Sequence, residues 1–259
     1  SKAIGQGRRE EARKFATGCM ALGVCLQALV AILIVMFRSK IVAFTGATGE
    51  TALLAERFLL ISVPTLPLMA IGMIGSAILR SEGDAYRAMF VTMSAGLVAV
   101  VADPILIIWF DLGLDGAAIN TGLSRLVSTS IAIWSVIRVH NLLGRLTLSI
   151  IKVALIPFLI IAFPAILTQL SGPFASFIIT RAIAEFGDSA VAGLSVVNRL
   201  SVVAFGGIFS LSAAIGGIFG QNFGAQMFDR VRSTYWNSIV FCFIYTLVAW
   251  FILAMSTEW

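Results

Sequence analysis

Asp103 is the only charged residue inside a run of 23 residues, 88–110, that is long and apolar enough to form a membrane-spanning helix. A carboxylate at such a place costs several kcal/mol unless it is paired, protonated or turned toward a water-filled cavity. Seven residues follow Asp103 in the run, a rise of about 10 Å. We therefore expect Asp103 in the outer half of a membrane, where it can exchange a proton with the outside. The structural alternative is a carboxylate that reaches the headgroup region.

Thr121 follows Asp103 by 18 residues and lies one turn into the next apolar run, 116–137. A short connection between two runs makes their helices antiparallel neighbours. Thr121 and Asp103 are then at similar depths, and we expect the threonine hydroxyl to lie near the carboxylate.

A few further side chains suit a substrate cavity within the apolar spans. Met69 offers a soft, polarisable surface, and Gln169 and Asn198 offer hydrogen bonds. Arg199 fits the same cavity, or it extends toward the membrane surface as a snorkelling side chain. We expect the substrate cavity to include Met69, Gln169, Asn198 and Arg199.

Composition indicates that these residues belong to a membrane protein. The chain has 59% hydrophobic and 12% charged residues and a mean hydropathy of +1.00, whereas soluble domains carry about 25% charged residues. The three cysteines and the single histidine form no metal-binding spacing. Seven runs qualify as spans: 15–37, 58–79, 88–110, 116–137, 153–180, 189–219 and 233–255. The sequence thus predicts an all-α polytopic membrane protein, with the first part of 153–180 as an interfacial lead-in.

The basic residues predict the orientation. With seven spans, twelve of the eighteen Lys and Arg fall on the side of residues 1–14, four fall on the other side, and Arg125 and Arg199 lie within spans. Cytoplasmic loops carry the excess of basic residues. We expect the end that holds residue 1 to be cytoplasmic.

A weak internal repeat gives the topology. Superposing Gly5 on Gly224 also superposes Arg13 on Arg232, and each segment leads into a span. Six spans separate the copies, so both copies have the same orientation. The expected arrangement is a parallel repeat of six-helix lobes about the membrane normal, as in several transporters.

Four segments resemble the multidrug and toxic compound extrusion (MATE) family in the right order. They are Ala3-Ile-Gly-Gln-Gly-Arg8, Leu79-Arg-Ser-Glu-Gly-Asp84, Asp103-Pro104 with Leu112-Gly-Leu-Asp-Gly-Ala-Ala118, and the stretch from Pro164 through Phe186-Gly-Asp-Ser-Ala-Val-Ala192 to Gly220-Gln-Asn-Phe-Gly-Ala225. The resemblance implies a piece that runs from the end of the second to the ninth family helix, with two helices missing before it and three after it. Residues 1–150 would belong to the N-terminal lobe, including the inter-lobe linker, and residues 151–259 to the C-terminal lobe.

The resemblance also implies roles for two residues. An aspartate followed 18 residues later by a threonine belongs to the cation or proton site of the N-terminal lobe in some family subgroups, and Asp103 and Thr121 match that spacing. Two departures weaken the match. Ala99 stands where the family's asparagine is expected, and Gly172 stands where some members carry a glutamate. The partner aspartate of the first family helix lies outside this chain.

The sequence therefore predicts a secondary active exporter of amphipathic, cationic compounds that exchanges them for Na⁺ or H⁺ in the cell membrane. We expect it to act as a monomer without nucleic-acid partners, and to use no cofactor besides the coupling ion. The alternative is a flippase of lipid-linked oligosaccharides in the same superfamily. An intramembrane enzyme is disfavoured, because the spans hold one acidic residue and no histidine. The sequence also lacks the glycine-rich phosphate-binding motif of ATP-driven transport.

Overall fold

The computed structural model describes residues 1–44, 48–184 and 186–255, and every regular element within these ranges is helical. The α-helices are α1 (Lys2–Gly5), α2 (Arg9–Met36), α3 (Arg38–Phe44), α4 (Gly49–Ser62), α5 (Leu66–Glu82), α6 (Ala85–Pro104), α7 (Gly113–Trp134), α8 (Leu148–Ala184), α9 (Asp188–Gly224) and α10 (Phe228–Met255). A 3-10 turn (Val63–Thr65) joins α4 to α5, and π-helical turns follow α6 (Ile105–Trp109) and α7 (Ser135–Val139). The all-α prediction is confirmed.

Six of the described helical segments are long and apolar enough to cross a membrane: Arg9–Met36, Gly49–Glu82, Ala85–Trp109, Leu148–Ile183, Ala192–Gly224 and Phe228–Met255. Their large apolar side chains point outward; Val100 is 72% exposed and Val203 is 78% exposed. Apolar surface on this scale needs a lipid environment. The chain is a multi-pass membrane protein.

One of the seven predicted spans, 116–137, forms a helix but is not among these six. That helix, α7, has 22 residues, and Asn120, Arg125 and several hydroxyls reduce its hydropathy. It packs against α4, α5 and α6, and Asn120, Ser128 and Thr129 are among its buried residues. Neighbouring helices therefore shield its polar side chains from lipid, which hydropathy alone does not register.

The chain divides into two compact units, the first made mainly of residues 3–155 and the second of residues 156–259. In the first unit, a core of Leu79, Val91, Ala132, Val136 and Leu142 lies where α5, α6 and α7 meet. The assignment of residues 1–150 and 151–259 to two lobes stays a prediction, as does the parallel repeat.

Small residues set the distances between the helices of the first unit. A Cβ atom on Gly75 would lie 2.8 Å from the Ala132 Cβ, and one on Gly116 would lie 2.8 Å from the Leu106 carbonyl oxygen. In lipid, helices associate by close packing rather than by hydrophobic exclusion from water. These glycines allow α5 and the π-helical turn after α6 to approach α7 closely.

The proline pair Pro64 and Pro67 produces the break between α4 and α5. Neither residue has a backbone N–H to continue the helical ladder, and the chain forms the 3-10 turn Val63–Thr65 in place of an α-helical turn. In that turn the Leu66 N–H donates to the Val63 carbonyl. The Ser62 carbonyl is thereby left for other donors.

The segment that follows α7 is fastened to the first unit. The Arg13 Nε donates to the Leu143 carbonyl at 3.1 Å, and the Gly144 N–H donates to the Thr17 hydroxyl at 2.8 Å. Ala154, near the start of α8, is 1% exposed. A Cβ atom on Gly18 would meet Ala154 and Ile150, so the first turns of α8 pack closely against α2.

The second unit contains most of α8 together with α9 and α10. The Gly207 N–H of α9 donates to the Tyr245 hydroxyl of α10 at 3.3 Å. The helix α8 is continuous over 37 residues and includes Pro157, Pro164 and Pro173. The interfacial lead-in expected for its first part is therefore part of one unbroken helix.

Candidate functional site

Asp103 is hydrogen-bonded to a side chain of the neighbouring helix. It lies half-buried one residue before the end of α6, and its Oδ1 accepts from the Asn120 Nδ2 of α7 at 2.6 Å. The same Nδ2 donates to the Ala99 carbonyl at 3.0 Å. Because both neighbours are acceptors, the amide nitrogen must face them and the amide oxygen must point elsewhere.

The oxygen of the Asn120 amide is left without a hydrogen-bond partner. Asn120 is 2% exposed, and its Oδ1 is a buried atom with no donor within reach in the described part of the chain. An unsatisfied buried acceptor costs about 1–3 kcal/mol. A partly dehydrated cation is one partner that would satisfy this oxygen.

Thr121 does not contact Asp103 by a hydrogen bond. Its hydroxyl donates to the Ala117 carbonyl of its own helix at 2.9 Å. This bond fixes the hydroxyl proton and leaves the oxygen lone pairs available to a cation. The expected proximity holds at the level of the helices, because the adjacent residue Asn120 contacts Asp103.

The oxygen atoms of Asp103, Asn120 and Thr121 suit a hard monovalent cation, which prefers carboxylate, carbonyl and hydroxyl oxygens. Among the described residues, no group of three or more His, Cys, Asp or Glu side chains could hold a metal ion together. A proton at Asp103 needs only the carboxylate. The arrangement is therefore compatible with exchange of either Na⁺ or H⁺ at Asp103.

Sequence analysis passed over Asn120 as a functional residue. Its position, 17 residues after Asp103 and one before Thr121, was already visible. The sequence does not show which side chain of α7 faces α6. A helix turns about 100° per residue, so the adjacent residues Asn120 and Thr121 face different neighbours. An amide in an apolar run beside an expected acid is the feature that would have identified it.

A second polar centre lies farther along α7. The Arg125 Nη1 donates to the Ser62 carbonyl at 2.9 Å and to the Thr65 hydroxyl at 2.7 Å. These acceptors belong to the break between α4 and α5. Arg125 also lines a cavity of about 240 Å³ between α5, α6 and α7, and Met69 is part of its wall.

The predicted cavity residues of the second unit lie on exposed surfaces. Gln169 on α8 and Asn198 and Arg199 on α9 are all exposed within that unit. A cavity of about 290 Å³ between α9 and α10 is lined by apolar residues and Tyr245, and includes none of the three. The structure thus places Met69 in a cavity wall, and the substrate roles of the other three residues stay predictions.

A compact ionic cluster closes the turn between α5 and α6. Asp84 caps α6 by accepting from the Arg87 N–H at 3.0 Å. It also accepts at 2.8 Å from the Nε2 of His140, the residue that follows the π-helical turn Ser135–Val139. Burial raises the pKa of Asp84, but the hydrogen bonds from Arg87 and His140 and the charge of Arg87 outweigh it and lower the pKa to about 2. The carboxylate stays ionised and joins α6 to the end of α7.

Known proteins resemble this chain over nearly its whole length. The family model MatE matches residues 1–105 and 164–259. A FAD transporter of Shewanella oneidensis is 27% identical over 263 residues, which cover 98% of this chain and 58% of that protein. The multidrug export protein MepA of Staphylococcus saprophyticus is 25% identical over 246 residues, covering 93% of this chain and 53% of that protein.

Solved structures agree with these matches. A crystal structure of MATE in complex with MaD5 superposes with a TM-score of 0.84 at 25% identity, over 95% of this chain and 57% of that chain. The chain thus spans little more than half the length of the relatives that it matches.

Proposed function

This chain belongs to the MatE family, and from that membership and the oxygen site around Asp103 we propose that it acts in a secondary active exporter. The exporter moves amphipathic organic compounds out of the cell in exchange for Na⁺ or H⁺. The relatives named as a FAD transporter and a multidrug export protein support transport of organic molecules rather than catalysis.

The single observation that carries the coupling mechanism is the pairing of Asp103 with Asn120. A carboxylate in a membrane-spanning helix is tolerated because the Asn120 amide stabilises its charge. The unpartnered Asn120 oxygen beside it provides a second ligand for a cation. An ion couples to transport when it binds one conformation of the transporter more tightly than the other.

The transported compounds are cationic amphipaths, and Met69 and Met73 contribute soft surfaces to the cavity that would receive their apolar parts. The protein lies in the cell membrane with the end that holds residue 1 in the cytoplasm, and works as a monomer. The flippase alternative is weaker, because the cavity between α5, α6 and α7 is lined by one cationic side chain, Arg125.

Replacing Asp103 by asparagine tests the proposal. In the intact transporter that carries this chain, Asp103→Asn should abolish ion-driven efflux, because a neutral amide neither releases a proton nor balances a cation. Its amount in the membrane should stay near normal, since asparagine keeps the size of the side chain. The measurement is dye efflux from proteoliposomes under an imposed Na⁺ or H⁺ gradient.

Asp111→Asn is the matched control, because Asp111 is an exposed carboxylate in the turn that follows the same helix. This variant should transport like the unmutated protein. If Asp103→Asn transports at the unmutated rate under both gradients, Asp103 is a structural carboxylate and the coupling proposal is wrong.

A further inference from the structure

Arg125 is a cation in the central part of a helix bundle. It lies twelve residues after the first residue of α7, a rise of about 18 Å, and it is half-buried. A positive charge at this depth is expensive in lipid and marks a functional site in most membrane proteins. Such a charge needs a partner that balances it.

The protein partners of Arg125 are neutral. One nitrogen, Nη1, donates to the Ser62 carbonyl and the Thr65 hydroxyl. Across the described ranges, no acidic side chain forms an ion pair with Arg125; the ion pairs of the other arginines lie elsewhere. The two contacts hold the guanidinium in position and leave its charge unbalanced.

The guanidinium borders a cavity that combines polar and apolar walls. The cavity has a volume of about 240 Å³ and lies between α5, α6 and α7. Its walls include Met69, Met73, Thr92, Ser124, Arg125 and Ser128. The Ser124 hydroxyl is a buried atom without a hydrogen-bond partner among the described residues. A cationic fork next to an uncommitted hydroxyl and two thioethers suits an acidic group attached to an apolar body.

We propose that this cavity binds an anionic group, a carboxylate or a phosphate, of the transported compound through Arg125 and Ser124. The inference rests on the proposed function and narrows its substrate class. A cationic compound that also carries an acidic group is a zwitterion. The transported compounds would therefore be amphipathic zwitterions with an acidic group beside their apolar rings. Arginine is favoured for such recognition because its planar fork binds both oxygens of the acidic group.

Two rhodamine dyes with the same ring system test the proposal. Rhodamine 110 has a free carboxylate, and rhodamine 123 is its methyl ester, so the pair isolates the acidic group. Binding of each dye to the intact transporter in detergent is measured by fluorescence anisotropy. Arg125→Gln should weaken binding of rhodamine 110 about tenfold or more, and binding of rhodamine 123 less than threefold.

Two further variants separate charge recognition from folding. Arg125→Lys keeps the charge without the planar fork, and it should weaken binding of rhodamine 110 less than Arg125→Gln does while leaving rhodamine 123 near its unmutated affinity. Thr92→Asp places a carboxylate in the same cavity wall while Arg125 remains. It should weaken rhodamine 110 selectively, which tests the proposal even if Arg125→Gln fails to fold.

Several outcomes would overturn the proposal. Equal weakening of both dyes by Arg125→Gln would mean that Arg125 is structural, or is paired with a carboxylate outside the described residues. Unchanged binding of both dyes, or binding of the ester alone by the unmutated protein, would also overturn it. Selective binding of rhodamine 110 without gradient-driven transport of either dye would sustain this site and refute the exporter function instead.

Discussion

At the residue scale, the site around Asp103 shows how one side chain lets a carboxylate reside in a membrane helix. Asn120 donates to both Asp103 and the backbone carbonyl of Ala99, one turn earlier on α6. Ala99 is the position where the MATE resemblance leads us to expect an asparagine. The amide is thus supplied from α7 rather than from α6, and it reaches the aspartate from the opposite helix.

Comparing Asn120→Ala with Thr121→Ala tests which neighbour matters more. Asn120→Ala removes the amide oxygen that the proposal assigns to a bound Na⁺, a contact with a charged group worth about 1.5–3 kcal/mol, whereas the Thr121 hydroxyl contributes about 1 kcal/mol. The Na⁺ concentration that gives half-maximal efflux should therefore rise about tenfold or more for Asn120→Ala. For Thr121→Ala the rise should be about fivefold at most.

The readout is dye efflux from proteoliposomes at a series of ion concentrations, with thermal unfolding recorded for both variants. A larger effect of Thr121→Ala, at equal stability, would show that the threonine hydroxyl is the stronger ligand. The assignment of Asn120 as the main neighbour of the carboxylate would then be wrong.

The sequence predicts part of this site. The energetic cost of a buried charge identifies Asp103 without any coordinates, and a short turn predicts that its partner lies on the next helix. Which face of α7 meets α6 depends on packing. The choice between Asn120 and Thr121 therefore needed the structure, as did the contact of Arg125 with a carbonyl more than 60 positions away.

At the element scale, α7 has polar side chains among the residues that its neighbours bury, and apolar ones such as Leu123 and Leu126 on its exposed face. It contacts α4, α5 and α6, and two side chains, Asn120 and Arg125, connect it to α6 and to the break between α4 and α5. The hydrophobic runs predict most helices, but the 3-10 turn at Pro64 was beyond them. A proline pair indicates that the helix is disturbed. It does not indicate that the disturbed turn is a 3-10 turn, because that depends on the hydrogen-bond donors of neighbouring helices.

Glycines at helix contacts give a prediction about stability. Gly75→Val places side-chain atoms where a Cβ is already 2.8 Å from Ala132, and overpacking of this kind costs about 1–3 kcal/mol. Gly96→Ala on α6 is the matched control, because no atom lies within 4 Å of its new Cβ. Alanine favours a helix over glycine by about 1 kcal/mol.

Thermal unfolding of the detergent-solubilised protein distinguishes the two substitutions. Gly75→Val should lower the unfolding temperature, and Gly96→Ala should leave it unchanged or raise it. A Gly75→Val protein as stable as the unmutated one would show that α5 and α7 separate easily, contrary to the packing described here.

At the scale of the whole molecule, charge and hydropathy together determine how the helices are threaded through the membrane. Six of the described helical segments are long and apolar enough to span a membrane, and α7 would make a seventh because its neighbours shield its polar side chains. The parity matters: with seven spans the two ends of the chain lie on opposite sides, and with six they lie on the same side. The twelve-to-four distribution of basic residues was counted for seven.

Labelling of single cysteines decides between six and seven crossings. After Cys19, Cys25 and Cys242, all free thiols, are replaced by serine, a cysteine is introduced at one loop position at a time. Basic loops stay in the cytoplasm, so cysteines at Gly83 and Arg145 should react with a membrane-impermeant maleimide only after the cell is opened. A cysteine at Gly113, the first residue of α7, should react in intact cells. Thr45 and Glu185, expected on the same face as Gly113, lie outside the described residues. Protection of Gly113, or labelling of Arg145 in intact cells, would show that α7 does not cross the membrane.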